Sequence, residues 1–498
     1  MITGYTNGRV YTFDSRDSVV EAFAMQDHRF IAVGTNDEIL AMAGRKIDLQ
    51  GATVVPGFID AHVHLIDYGL MLQMTVDLVG CVSLAEMLDR LKRHARESGA
   101  EWLFGHGFDQ ELFGTGTFPT REDLDTVVKD RPLIVSRICG HAVIGNSPAV
   151  ELSQGLTEES RRSGMVTEDD IAKLTYLAPE PSDADIDQAI LTAGGMAANL
   201  GITGVHCLLN DMRQFDRLKA LNDDGLLPIR FTAQLPFSQL DEVVRRGLRT
   251  GDGDDWLRIG AMKVFADGSL GARTAAMIDE YSDDPGNHGL LLLDHPELTE
   301  MIRKAESHGF QCAIHAIGDK AVEVVVNSIE AAIGREGNKL RHRIEHASQM
   351  TATAVQKMSE LGIAAAIQPQ FVLTDFWTIQ RVGPERYALS YPLKSMLSAG
   401  IHCAMSSDCW VERLDPYELI YRAWVRDAAS QNECLSPVET IRAYTAGSAY
   451  AGHAEKSQGS IESGKLADFI IFDKPLFDLS PDEILKVRPR QVVISGTG

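Results

Sequence analysis

The strongest constraint on this chain is a rhythm through its middle. Amphipathic segments end in glycine and give way at once to short apolar runs. Ser182 caps a segment that reaches Leu200, Gly201 stops it, and Thr203-Gly204-Val205-His206 follows. Pro296 to His308, Gly309 and Gln311-Cys312-Ala313-Ile314-His315 repeat the pattern. So do Thr351 to Leu361, Gly362 and Ile363 to Gln368, and then Leu393 to Ala399, Gly400 and His402 to Ser406. Glycine just past a helix is a stop signal, because it adopts the left-handed conformation without steric cost. Apolar strands alternating with helices imply a parallel sheet covered by helices. Over residues 58–454 a (β/α)8 barrel with insertions leads. The alternative is a doubly wound open sheet, which no G-x-G-x-x-G after an early strand supports.

The two ends read differently. Arg9-Val10-Tyr11-Thr12-Phe13, Ala22-Phe23-Ala24-Met25 and Phe30-Ile31-Ala32-Val33 are short strand-like runs between turn residues. Phe469-Ile470-Ile471-Phe472 and Gln491-Val492-Val493-Ile494 do the same near the other end. Neither end has enough strands for a stable sheet alone. The expectation is one small β-domain built from residues 1–57 and 455–498, with the barrel between them. Residues 68–150 are too long for one crossover. With an amphipathic helix (Leu84, Met87, Leu88, Leu91) and the run Pro132-Leu133-Ile134-Val135, they read as an elaboration on the barrel, a lid over the site.

Composition excludes several classes. The 498 residues are 44% hydrophobic, enough for a large core, and no apolar stretch is long enough to cross a membrane. A formal charge of −23 argues against nucleic acid and anionic membranes as partners. The seven cysteines are scattered, without a CxxC pair, and read as reduced thiols. With no signal peptide at Met1-Ile2-Thr3-Gly4-Tyr5, the expected location is cytoplasmic. The expected partner is a small-molecule substrate, and homodimerisation stays open.

Polar residues recur at the strand ends: His62 and His64, His206, Lys263, His315, His346, Gln368 and Asp408. In a barrel these ends converge on one face, where active sites sit. His62 and His64 are spaced i, i+2, so on a strand they share a side. Taken singly, His315 and His346 read as structural histidines and Asp408 as a helix cap. Taken together, His62, His64, His315 and His346 supply nitrogen ligands and Asp408 a carboxylate, a set that suits zinc or a similar divalent ion. Glu345, next to His346 on its strand, is expected to point to the opposite face.

Several longer pieces carry a resemblance. They are Pro56-Gly57-Phe58-Ile59-Asp60-Ala61-His62-Val63-His64, Lys263-Val264-Phe265-Ala266-Asp267-Gly268-Ser269-Leu270-Gly271-Ala272-Arg273-Thr274, His315-Ala316-Ile317-Gly318-Asp319, Arg343-Ile344-Glu345-His346-Ala347, Ser406-Ser407-Asp408 and Gly459 to Asp468. Over nearly its whole length the chain resembles the amidohydrolase superfamily, in the amidohydrolase-3 branch that includes N-substituted formamide deformylases. The resemblance implies a distorted (β/α)8 TIM barrel with a small β-sandwich domain from both chain ends. It implies one metal on His62, His64 and Asp408 and a second on His315 and His346. Lys263 bridges them as a carbamate derived from carbon dioxide, so one or two ions bind per chain. Without the carbamate, Lys263 pairs with Asp267. The implied reaction is hydrolysis of an amide or N-substituted formamide C–N bond by a metal-activated water, with Asp408 as the proton-transfer residue. Gln110 and His141, in Gly107-Phe108-Asp109-Gln110 and Gly140-His141-Ala142, resemble motifs that reach substrate, while Asp109 reads as a cap. Trp377 and Arg381 are candidates to line the pocket. An esterase, lactonase or deaminase on the same scaffold is the alternative chemistry. A catalytically silent, metal-stabilised scaffold or regulator is the alternative class.

Overall fold

Each expected helix–glycine–strand unit is present in the computed structural model, which describes residues 1–114, 116–137, 142–167, 171–175 and 180–494. The helix Ala352–Leu361 starts at Thr351, whose side chain accepts from Ala354 N, and ends at Gly362 in the left-handed region. The helix Asp183–Asn199 begins after Ser182, whose hydroxyl accepts from Asp185 N at 3.2 Å.

Eight parallel strands form one sheet, numbered here β1 (Phe58–Val63), β2 (Ile202–Leu208), β3 (Arg230–Pro236), β4 (Leu257–Phe265), β5 (Cys312–Ala316), β6 (Arg343–His346), β7 (Ala364–Ile367) and β8 (Cys403–Met405). They pair in sequence order from β1 to β8. Backbone bonds from Asp408 N to His62 O (2.9 Å) and from His64 N to Cys409 O (2.7 Å) join the last strand end to the first. The sheet is therefore a TIM barrel of the expected kind. Side chains along the strands are almost wholly buried, because helices cover the outside and side chains fill the inside. Ala61, Ala366, Ala404 and Ala451 form one buried cluster. Beside it sits Arg343, among the largest fully buried side chains.

The chain ends form two sheets. One has the order Arg29–Gly34, Ala22–Gln26, Thr3–Thr6, Arg45–Asp48. The other has Gln491–Val493, Phe469–Phe472, Thr53–Pro56, Arg9–Tyr11, Val19–Val20, so strands from both termini share it. Tyr5 of the first sheet meets Phe469 of the second edge-to-face at 5.2 Å, within a core that includes Phe23 and Phe30. A buried bidentate pair, Arg230 Nε to Asp468 Oδ2 (2.6 Å) and Nη2 to Oδ1 (2.9 Å), ties this domain to β3. At Gly57, where one domain passes into the other, a Cβ would lie 2.1 Å from Thr203 Oγ1, so only glycine fits.

Residues Asp67–Ala189 make a separate compact unit. Its sheet runs Met165–Thr167, Ala142–Gly145, Leu133–Arg137, Leu103–Phe108, Thr75–Asp77. The helix Leu84–Glu97 buries Met87 and Leu91 in the unit's own core. The unit extends past residue 150 to Ala189, and its strand Met165–Thr167 has three residues, too few to register as a pattern. No helix among the described residues is long and apolar enough to cross a membrane.

Candidate metal centre

The barrel brings His62, His64, Lys263, His315, His346 and Asp408 to the wall of one cavity of about 370 Å³. Ring centroids lie 5.9 Å apart for His62 and His64, 5.0 Å for His62 and His346, and 4.5 Å for His315 and His346. Donor atoms of His62, His346 and Asp408 fall within 4.8 Å of one another. Asp408 Oδ1 is 3.5 Å from Nε2 of both His62 and His64. Lys263 Nζ is 3.5 Å from His62 Nε2.

Neighbouring groups choose the tautomers. His62 Nδ1 bonds the Glu345 carboxylate. An ionised carboxylate only accepts, so Nδ1 carries the hydrogen and Nε2 keeps its lone pair. His346 Nδ1 donates to Gln368 Oε1 at 2.9 Å, and the same amide donates to Ser406 Oγ at 2.9 Å, which sets its orientation. His315 Nε2 donates to Gly268 O at 3.0 Å, leaving Nδ1 as its acceptor. Burial, with Lys263 adding to it, holds His64 at about 4 and His315 at about 3, and keeps His62 and His346 well below the usual range. All four imidazoles are therefore neutral at physiological pH, the form that binds metal. Burial also lowers Lys263 and raises Asp408 from their ordinary values. Four neutral imidazoles, a carboxylate and a lysine around one cavity are a donor set that fits divalent zinc-like ions.

Glu345 corrects the expectation from strand alternation. It does not point away from the site. Arg343 and Glu345, two apart on β6, both face the barrel interior, and Arg343 Nε donates to Glu345 Oε1 at 2.7 Å. His346 reaches the same region because alternation stops there: its φ is 73°, and that of Ala347 is 49°. Arg343 also reaches His206 Nδ1 (2.9 Å) and Ala61 O (2.9 Å). His206 therefore supports the barrel interior. The signal for this network was present in the sequence: opposite charges at i, i+2 within an apolar strand must be paired if they are buried.

Asp60 and Asp267 were missed as supporting residues. Asp60 is fully buried, accepts from Ser407 N (3.1 Å) and Tyr444 O–H (3.1 Å), and burial pushes it up to about 6. It fixes the backbone one residue before Asp408. Asp267 accepts from Ala276 N (2.9 Å), Ile317 N (3.0 Å) and Gly318 N (2.8 Å). Those amides occupy its carboxylate, and among the described residues Lys263 makes no ion pair with it.

Trp377 lines the cavity, whereas Arg381 stacks over Trp377 at 5.1 Å and pairs with Asp283. In the separate unit, Gln110 is buried, accepting from Arg137 Nε at 2.8 Å and donating to Glu111 at 3.0 Å. Asp109 caps the short helix Gln110–Phe113 through Glu111 N. His141 lies outside the described residues.

Glu345→Gln is expected to destabilise the fold by about 3–5 kcal/mol, because it leaves Arg343 buried without its partner charge. Metal affinity should fall by about 10–100-fold as His62 loses its carboxylate. Denaturant titration and metal titration of the same variant check both effects, and an unchanged midpoint would refute the pairing.

The chain matches the model of the amidohydrolase family over residues 45–497. It is 31% identical to YtcJ of Bacillus subtilis, covering 98% of this chain and 97% of that protein. It is 27% identical to an N-substituted formamide deformylase of Arthrobacter pascens, over 98% and 96% of the two chains. The crystal structure of an uncharacterized metal-dependent hydrolase from Pyrococcus furiosus superposes with a TM-score of 0.85 at 33% identity, over 97% of this chain and 100% of that one.

Proposed function

The chain belongs to the amidohydrolase family of metal-dependent hydrolases, and on that premise we propose that it cleaves the C–N bond of an amide or N-substituted formamide. The observation that carries this reading is the position of Asp408, buried beside His62 and His64 at the wall of an open cavity. A purely structural ion needs no carboxylate facing a substrate-sized space. The likeness to the Arthrobacter deformylase supports the bond type.

His62, His64 and Asp408 would hold one ion, and His315 and His346 a second, with zinc the best match to this donor set. Lys263 would bridge them as a carbamate: its neutral amine forms an N–C bond to carbon dioxide and releases one proton. When bound, the ion supplies Lewis acidity towards a carbonyl oxygen and acidifies water. Asp408 accepts the proton of the attacking water and returns it to the leaving nitrogen. Glu345 and Gln368 keep the imidazole lone pairs aimed inward throughout. The six described cysteines are free thiols, which supports a reducing, cytoplasmic setting.

Elemental analysis of protein purified without chelator tests the metal reading. The expected content is about two divalent ions per chain with the carbamate and about one without it. Less than roughly 0.3 equivalents after supply of zinc, manganese and bicarbonate would overturn it. A panel of N-formyl, N-acyl and cyclic amides, run beside esters and lactones, tests the bond cleaved.

A further inference from the structure

One wall of the cavity is not used by the residues assigned to hydrolysis. Asp375, Tyr391, Trp377 and Phe371 line it. Asp375 ends the short helix Phe371–Thr374, its N–H donating to Phe371 O at 3.0 Å and its carbonyl accepting from Thr378 N at 2.8 Å. The backbone on both sides of this side chain is thus fixed. Tyr391 O–H donates to Asp375 Oδ2 at 2.7 Å. Tyr391 is itself buried, with its N–H on Ser348 O at 2.6 Å.

Among the described residues no lysine or arginine pairs with the Asp375 carboxylate. Lys263 is the one such residue on the cavity wall, and it belongs to the metal cluster. Arg381, which stacks over Trp377, is committed to Asp283. Asp375 is half-buried, and a carboxylate partly withdrawn from water is poorly compensated without a cation; one phenol hydroxyl offsets only part of that cost. Burial accordingly pushes the Asp375 carboxyl up to about 6. The surfaces beside it are aromatic, and aromatic faces attract cations. A bound cation would satisfy both the charge and the rings. A substrate bearing a carboxylate there would set two anions together.

We infer that this wall is a subsite for a cationic nitrogen, an alkyl- or arylammonium group carried by the substrate away from the bond that is cut. The inference rests on the C–N hydrolase reading for the role of that group, whereas binding of the cation can be read without any turnover.

Calorimetry near neutral pH with benzylammonium and its neutral counterpart benzyl alcohol tests it. The ammonium is expected to bind at least about tenfold more tightly. Asp375→Asn keeps the shape and still accepts from Tyr391, yet should abolish that preference. Matched amides ending in trimethylammonium or tert-butyl should show a similar ratio in kcat/KM, carried by KM. Equal affinity of the wild-type protein for the two probes would overturn the subsite, and so would a full preference retained in Asp375→Asn. Should Asp375→Asn fail to fold, the wild-type comparison decides alone. A preference for ammonium in a protein that cleaves no amide would support the subsite and overturn the C–N reading.

Discussion

Asp408→Asn is expected to lower kcat by about 10²–10⁴-fold on the best amide substrate, the usual share of a general acid–base residue. The substitution keeps size and one oxygen donor but removes the basic carboxylate. Backbone geometry favours its tolerance. Asp408 has a φ of 56°, in the left-handed region, where aspartate and asparagine are the side chains most readily accommodated after glycine. The bond from Asp408 N to His62 O is made by the main chain and survives. The first metal should remain at reduced affinity, and the melting temperature should stay close to wild type. Asp408→Ala should be worse on both counts. It loses the ligand, and it places an alanine in a conformation that costs about 1–2 kcal/mol. Steady-state kinetics, metal content and thermal melts on both variants separate these effects. Turnover by Asp408→Asn at near wild-type rate would show that Asp408 only shapes the turn, and the proposed mechanism would fall.

Lys263→Ala carries the second large effect. Removing a supporting partner of a metal ligand typically costs about 10–100-fold in affinity or activity, so loss of a bridging ligand should exceed about 100-fold. One of two ions should be lost with it. Added bicarbonate or short carboxylic acids should restore part of the activity by standing in the vacated bridge. The side chain is buried, at 6% exposure, yet lines the cavity, so the space it leaves opens into the site where small acids can enter. Full metal content and full activity in Lys263→Ala would make this lysine structural.

What could be read from the sequence followed from repetition. The helix–glycine–strand units repeat, so small errors in one did not affect the whole, and strand ends such as His315 and Asp408 fell on one face by topology alone. Residues whose role depends on breaking the pattern were harder. Period-two alternation places Glu345 opposite His346, but the positive φ of His346 ends that alternation, and Glu345 faces the interior. Asp60 and Asp267 act through backbone amides of distant loops, and no local spacing reveals such partners. The three-residue strand Met165–Thr167 carries too few residues for periodicity to show.

The four alanines beside Arg343 have a consequence for how this protein must age and adapt. Ala61 and Ala451 offer their carbonyls to the guanidinium, and Ala366 and Ala404 complete the same packed group. Space that barrels ordinarily fill with branched aliphatics is here given to an ion whose partner, Glu345, holds His62. Scaffold and reactive centre therefore share atoms. Enlarging Ala61 or Ala451 would press on Arg343, and typical overpacking costs about 1–3 kcal/mol. That pressure would pass through Glu345 to His62, the proposed metal ligand. Drift in the interior of this barrel would thus be registered as lost ion retention while the chain is still folded, and a tightly held ion would in turn mask weak interior substitutions by stabilising the native state.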